Sequence, residues 1–244
     1  MKRKFEIKAH DGPGRLGKLK DIETPNIINT NLFKVANDEA VAYNIEKEIA
    51  MWSVNNTIKK AKDFNGEIAV LQGSKYIDLR IKCLKELENL GYSGFIIANG
   101  DELLLRPREL VDLIINLRKN MKPGTYLIFP MAECSFIPIL SYLGIDGFLE
   151  DIGEYYSYLN VMMSPTKNYD LNVYEIYKMN QEEILTCNKS TIDFVLREVR
   201  EHMKNGTLRN LVEERSATSP QNMSLLKILD KDYQDYLQEY TQLY

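Results

Sequence analysis

The chain has 244 residues, with 31 Lys and Arg against 35 Asp and Glu, a formal charge of −4 and a pI near 5.4. Hydrophobic residues make up 44% and charged residues 27%, enough to bury a sizeable core, which excludes a disordered or collagen-like chain. The acidic balance excludes a strong non-specific nucleic-acid binder acting alone, because phosphate affinity comes from clustered Lys and Arg.

In chain order, His10-Asp11-Gly12-Pro13-Gly14-Arg15 is glycine-rich but has no preceding strand long enough for a nucleotide-binding unit; its Asp-Gly pair predicts a hairpin turn. Glu39 to Lys62 predicts one long helix with Ala42, Ile45, Ile49, Trp52 and Ile58 toward the core. Ile68 to Leu71 is a buried-strand run, and Tyr76 to Leu90 is a helix with Ile77, Ile81, Leu84, Leu87 and Leu90 at helical spacing. The pattern repeats: a strand at Gly94 to Gly100, a helix from Arg106 to Asn120, a strand at Tyr126 to Pro130, a helix around Ser135 to Leu143, and a strand at Gly144 to Leu149. Apolar strands alternating with helices predict an α/β fold with a parallel sheet covered on both faces. Tyr155 to Tyr177 reads as a loop-rich connection. Ser190 to Lys204 reads as a helix opened by a capping box of Ser190 and Asp193, with Ile192, Val195, Val199 and Met203 as its stripe. Ser224 to Tyr244 reads as a helical, Tyr-rich tail suited to docking on another chain.

In parallel α/β folds functional groups collect at the carboxyl ends of the strands. Those ends carry Gln72 and Gly73, then Asn99, Gly100, Asp101 and Glu102, then Glu133, then Glu150 and Asp151, a polar and acidic mouth. Gln and Asn amides offer both donors and an acceptor, matching the mixed edge of an amide or nucleobase, and glycines admit a flat ligand close to the backbone. The alternative is that these ends are polar because they meet water. With only His10 and His202 present, proton transfer falls to carboxylates. Cys83, Cys134 and Cys187 are too dispersed for a disulfide framework or a zinc site and read as buried thiols; no metal or cofactor is expected. There is no G-x-x-x-x-G-K-[ST] loop and no H-E-x-x-H helix. No apolar run approaches the roughly 18 to 20 residues of a membrane span, and the polar start leaves no signal-peptide core, so a cytoplasmic protein with no membrane contact is expected.

HDGPGRLGKL with ETPNIIN, LQGSKYIDLR at Leu71 to Arg80, RPRELVDLII, LGIDGF and ILTCNKSTIDFVLREVREHMKNGTLRNLVEER together resemble the tRNA-guanine transglycosylase superfamily, and LQGSKYIDLR is the most specific of these. The resemblance covers residues 1 to 30 and about 55 to 230. It implies a (β/α) barrel in which Gln72, Gly73, Asn99 and Gly100 hold a deazaguanine base. Three departures redirect it. Gly144, Asp146 and Phe148 match the family's Gly-x-Asp-x-Phe-Asp motif, but Leu149 stands at the nucleophile. The Asp-Ser-Gly-Gly strand has no room between Asn31 and Asn55, and the family's zinc ligands are absent from Val161 to Asn180. The chain therefore resembles the transglycosylase-like part of an archaeosine synthase, with a reduced or incomplete TIM-like barrel at residues 1–154 and a connecting loop with C-terminal helices at 155–244.

That resemblance implies addition of lysine to 7-cyano-7-deazaguanine in tRNA, after which a radical-SAM enzyme cleaves the adduct. The Pro-Cys…Lys-Pro-Tyr…Ser…His signature domain and the RNA-binding PUA domain are not in these residues, which implies a second subunit that carries them. The acidic mouth would receive the ammonium groups of lysine, with Asp101, Glu150 or Asp151 as general base. A non-catalytic scaffold subunit is the competing reading, and a true transglycosylase is third, since leucine cannot form a glycosyl-enzyme bond.

Overall fold

The computed structural model describes residues 5–239. Strands β1 (Glu6–Asp11) and β2 (Gly14–Leu19) form the expected hairpin, and β3 (Ile22–Thr24) pairs with β2. Gly12 sits in the turn at φ 55, the left-handed conformation that glycine adopts without a steric penalty. Gly12, Gly14 and Gly17 have the spacing of a dinucleotide loop, but they lie in a hairpin instead of a strand-to-helix turn, so the spacing carries no phosphate site here.

The main sheet follows. Its strands are β4 (Asn26–Ile27), β5 (Ile68–Leu71), β6 (Gly94–Ile97), β7 (Tyr126–Phe129) and β8 (Gly147–Phe148), all parallel in the order β4-β8-β7-β6-β5. Between them run α1 (Lys47–Lys62), α2 (Ile77–Asn89), α3 (Gly100–Leu104), α4 (Pro107–Asn120) and α5 (Ile137–Tyr142). Side chains alternate along each strand. Ala69, Leu71, Phe95, Ile97, Leu127, Phe129 and Phe148 join the large core under the helices, while Ile68, Ile96, Tyr126 and Ile128 join a second cluster with Phe5, Leu19, Ile28 and Phe33. Both faces are thus buried, which is why the strands read as continuous apolar runs.

One short segment touches both edges of this sheet. Ile28 N donates to Phe148 O at 2.8 Å, and eight residues later Ala36 N donates to Ile68 O at 2.9 Å, beside a parallel bridge between Val35 and Ile68. The architecture is a reduced, TIM-like α/β barrel that curls toward closure without completing its ring of strands.

Three elements depart from the sequence reading. The first long helix begins at Lys47, and residues 37–46 carry no regular secondary structure, with a bend at Tyr43 and Asn44. Its buried stripe is Ala50, Ser53, Val54, Thr57 and Ala61, whereas Ile49 and Trp52 are 48% and 52% exposed. The larger apolar side chains misled the periodicity because small residues are what let α1 approach its neighbours. The segment after Leu149 is more regular than a loop, with α6 (Asp151–Tyr158) and a hairpin of β9 (Val161–Met163) and β10 (Asn168–Asp170). Buried Asn188 organises it: Oδ1 accepts from Met163 N at 2.7 Å, and Nδ2 donates to Val161 O at 3.1 Å and Gly153 O at 3.2 Å. Finally, α7 (Gln181–Lys204) starts nine residues before Ser190, with the capping box made by Asn180 and Glu183. The expected stripe of Ile192, Val195, Val199 and Met203 is buried as read.

Helices α8 (Leu208–Ser216), α9 (Pro220–Asp232) and α10 (Gln234–Gln238) complete the described chain. Leu225, Leu229 and Tyr236 belong to the same apolar cluster as the sheet, so this part of the tail packs on its own barrel; residues 240–244 lie outside the described residues. Cys83 and Cys134 are buried and Cys187 partly so. Burial pushes the Cys83 and Cys134 thiols up to about 11 and about 12, which keeps them protonated near neutrality.

Candidate functional site

The turn after β5 explains the LQGSKYIDLR motif. Gly73 adopts φ 142, and a Cβ there would lie 2.7 Å from Arg80 N, so only glycine fits. The turn closes through Tyr76 N donating to Gly73 O at 3.0 Å. Arg80 then reaches back from α2, fully buried. Its Nε donates to Ser74 O at 2.9 Å, Nη1 donates to Leu71 O, and Nη2 donates to Asn99 Oδ1 at 3.1 Å. No carboxylate pairs with it among the described residues; burial pushes its pKa down to about 10, so it remains a cation held by carbonyl oxygens.

The same strand ends are laced to the irregular segment 37–46. Gln72 Nε2 donates to Asp38 Oδ2 at 2.6 Å, Asn99 Nδ2 donates to Val41 O at 2.9 Å, Ser74 Oγ donates to Ala42 O at 3.0 Å, and Tyr76 OH donates to Ile45 O at 2.9 Å. Tyr43 N donates to Glu102 Oε1 at 3.2 Å, and Tyr43 OH donates to Glu109. Gln72 is 1% exposed and its Oε1 has no partner among the described residues, so the side chain expected to face an open mouth is covered by this strap. Replacing Asp38 with Ala should therefore leave both ends of the buried Gln72 amide unpaired. An expected loss of roughly 1–3 kcal/mol, read by urea denaturation, should come with faster amide exchange confined to residues 37–46.

Farther round the mouth lies a cavity of about 520 Å³. Asp101 and Glu102 enter it from α3, Met131 and Glu133 from the end of β7, Tyr155 and Tyr156 from α6, Lys167 and Asn168 from the β9–β10 hairpin, and Ser219 and Gln221 from the start of α9. Glu133 Oε1 accepts from Tyr156 OH at 2.5 Å; burial, followed by that acceptor, pushes the Tyr156 phenol well above its usual range and keeps it a donor. The Asp101 side chain makes no hydrogen bond or ion pair among the described residues and is exposed, so both its oxygens are available to a ligand. Three carboxylates, two tyrosines and one ammonium suit a zwitterionic amine: acidic oxygens for cationic nitrogen, Lys167 for a carboxylate, aromatic edges for the aliphatic stem.

The expected site residues thus fall into two groups. Gln72, Gly73, Asn99 and Gly100 share one corner, tied to the strap and to Arg80. Asp101 lines the cavity next door. Glu150 pairs with Lys189 at 2.8 Å, and Asp151 is exposed on the first turn of α6; neither lines the cavity. Leu149, at the position of the transglycosylase nucleophile, packs against the inner apolar cluster. The sequence reading missed Asp38, Tyr43, Arg80, Tyr156 and Lys167. Arg80 was visible as an arginine on the apolar-spaced helix after the glycine turn; the others act through contacts between segments far apart in the chain.

No family model matches the chain. It is 30% identical to an archaeosine synthase of Methanocaldococcus jannaschii over 62% of its own length and 24% of that protein. It is 24% identical to the archaeosine synthase subunit alpha of Thermococcus kodakarensis, over 97% of its length and 43% of that protein. The chain is similar to these archaeosine synthases over part of their length. A tRNA-guanine(15) transglycosylase of Methanocaldococcus jannaschii, 23% identical over 92% of the chain and 37% of that protein, places the likeness within the wider transglycosylase superfamily. The chain spans less than half the length of each of these relatives. Among the described residues no helix is long and apolar enough to cross a membrane.

Proposed function

We propose that this chain is the barrel subunit of a tRNA-modifying transferase in archaeosine biosynthesis, which adds lysine to 7-cyano-7-deazaguanine in tRNA together with a second subunit carrying the signature and PUA domains. The observation that carries the reading is the acidic, tyrosine-lined cavity beside the Gln72–Asn99 corner, with the free Asp101 carboxylate between them. A lysine amine would seat there against Asp101 and Glu133, with its carboxylate toward Lys167. Asp101 takes a proton from the amine as its nitrogen bonds to the nitrile carbon, and a proton passes to the nitrile nitrogen, turning C≡N into an amidine-type C=N. Gln72, Gly73, Asn99 and Gly100 would hold the base edge after the strap yields them. Glu150 and Asp151 are the alternative bases, reached from the start of α6. A radical-SAM enzyme would act on the product in the cytoplasm. In this proposal residues 1–154 form the reacting barrel and 155–244 brace it and the partner.

The test uses the complex with its partner subunit, lysine and tRNA bearing the nitrile base, read by mass spectrometry of the nucleosides. Asp101→Asn should slow adduct formation by about 10²- to 10⁴-fold while the thermal unfolding curve stays in place. A wild-type rate in that variant sinks the assignment of Asp101. One observation favours the scaffold reading: Gln72 and Asn99 already bond to the chain's own segment 37–46. If Gln72→Ala and Asp101→Asn both leave the rate untouched, the scaffold reading replaces the enzyme reading. Exchange of labelled guanine into tRNA should stay at background, because Leu149 offers no nucleophile; exchange near the rate of an authentic transglycosylase would revive the third reading.

A further inference from the structure

At the opposite end of the barrel, where β7 and β8 begin, a second cavity of about 290 Å³ is walled by Arg15, Arg118, Lys119 and Lys122, with Glu239 at its edge. Arg15 and Arg118 are nearly buried and share one carboxylate, Asp146, at 2.5 Å from Arg15 Nη2. Their remaining nitrogens are poorly served. Among the described residues Arg118 Nη1 meets only the Met121 thioether at 3.7 Å, and Arg15 Nη1 only Pro123 O at 3.3 Å. The ammonium groups of Lys119 and Lys122 make no ion pair or hydrogen bond among the described residues. Four cationic side chains therefore face two carboxylates in a concave, partly desolvated site, on a protein whose net charge is −4. Low-dielectric walls focus such a field, and guanidinium forks with spare N–H groups match a tetrahedral oxyanion.

We propose that this cavity binds a compact oxyanion of the phosphate class, held by the spare Nη1 groups of Arg15 and Arg118 and by Lys119 and Lys122. The ligand would be either a free phosphate-bearing small molecule or a phosphodiester of bound RNA. The site stands apart from the strand-end mouth, so it does not depend on the proposed transfer reaction.

The probe is inorganic phosphate against sodium chloride at matched ionic strength, measured by thermal unfolding and titration calorimetry on the full chain. Phosphate should raise the melting temperature by several degrees over chloride. Lys119→Gln/Lys122→Gln, which leaves the Arg15–Asp146–Arg118 cluster in place, should melt as wild type in chloride and weaken phosphate binding at least ten-fold. No phosphate-specific rise, or a rise undiminished in the double variant, overturns the proposal. Salt titration of tRNA binding distinguishes the sources: a double-variant slope smaller by about two identifies the phosphodiester, and an unchanged slope with lost phosphate binding identifies the free ligand.

Discussion

Arg80→Met should lower the unfolding free energy by on the order of 4 kcal/mol. Methionine keeps much of the volume, so the loss would report polar contacts more than a cavity. The guanidinium serves three acceptors, the carbonyls of Leu71 and Ser74 and the amide oxygen of Asn99, and water does not reach it. Each buried acceptor left without a donor costs about 1–3 kcal/mol, and some relaxation of the turn recovers part of the total. Because Asn99 is held from one side by Arg80 and gives its amide to Val41 on the other, the damage should spread to the strap. Denaturant unfolding measures the loss, and a change under about 1 kcal/mol would mean that the turn holds without its arginine. Arg80→Lys should recover little, since one ammonium cannot span three acceptors arranged around a planar fork.

Asp146→Asn should be comparably damaging, by about 3–5 kcal/mol, the cost of removing one partner of a buried ionic cluster. Its oxygens take Arg15 Nε at 2.9 Å, Arg15 Nη2 at 2.5 Å, Leu127 N at 2.8 Å and an Arg118 nitrogen, joining the first hairpin, α4 and β7. Burial alone would raise this carboxyl, but the Arg118 and Arg15 charges outweigh that, and the Arg15 and Leu127 hydrogen bonds add to them, so its pKa is held below the ordinary carboxylate value. A depressed folded-state value gives stability that is fully present above the unfolded carboxylate range and is lost as pH falls through the folded value. The gap between wild type and Asp146→Asn should therefore be flat from about pH 5 to 8 and narrow only below about pH 4. A gap that closes near pH 6 would contradict the assignment. The sequence reading had Asp146 only as a motif match beside the missing nucleophile; its partners lie 28 and 131 positions away, a separation no local pattern encodes.

The same contrast runs through the molecule. The strands at Ile68–Leu71, Gly94–Ile97 and Tyr126–Phe129 were legible because burial on both faces makes them uniformly apolar. The helix at Pro107–Asn120 was legible from Pro107 and the Leu110, Ile114, Leu117 stripe. The strap at 37–46 was not, because its conformation is set by the groups it meets: Gln72, Ser74, Tyr76 and Asn99 from one side, and Thr57 Oγ1, which accepts from Glu39 N at 3.0 Å, from the other. Alone, Ala42, Ile45 and Ile49 read as helix. For the candidate site, strand-end logic found Asp101 and the Gln72–Asn99 corner, while the cavity's far wall comes from a hairpin and from α9, whose approach depends on packing of the whole chain.

The segment that spans both edges of the parallel sheet also constrains the order of events during synthesis. β6 and β7 can each pair with the strand made just before them, but β4 must wait for β8, about 120 residues later, before Asn26 and Ile27 find Gly147 and Phe148. Until Phe148 has left the ribosome, Ile28 lacks the carbonyl that anchors it, and the inner face bearing Ile68, Ile96 and Ile128 is left without its closing side. Such long-range parallel pairing is slow, and it leaves apolar strand surface exposed to other nascent chains. Deletions that stop short of β8 should therefore aggregate instead of giving a smaller soluble core.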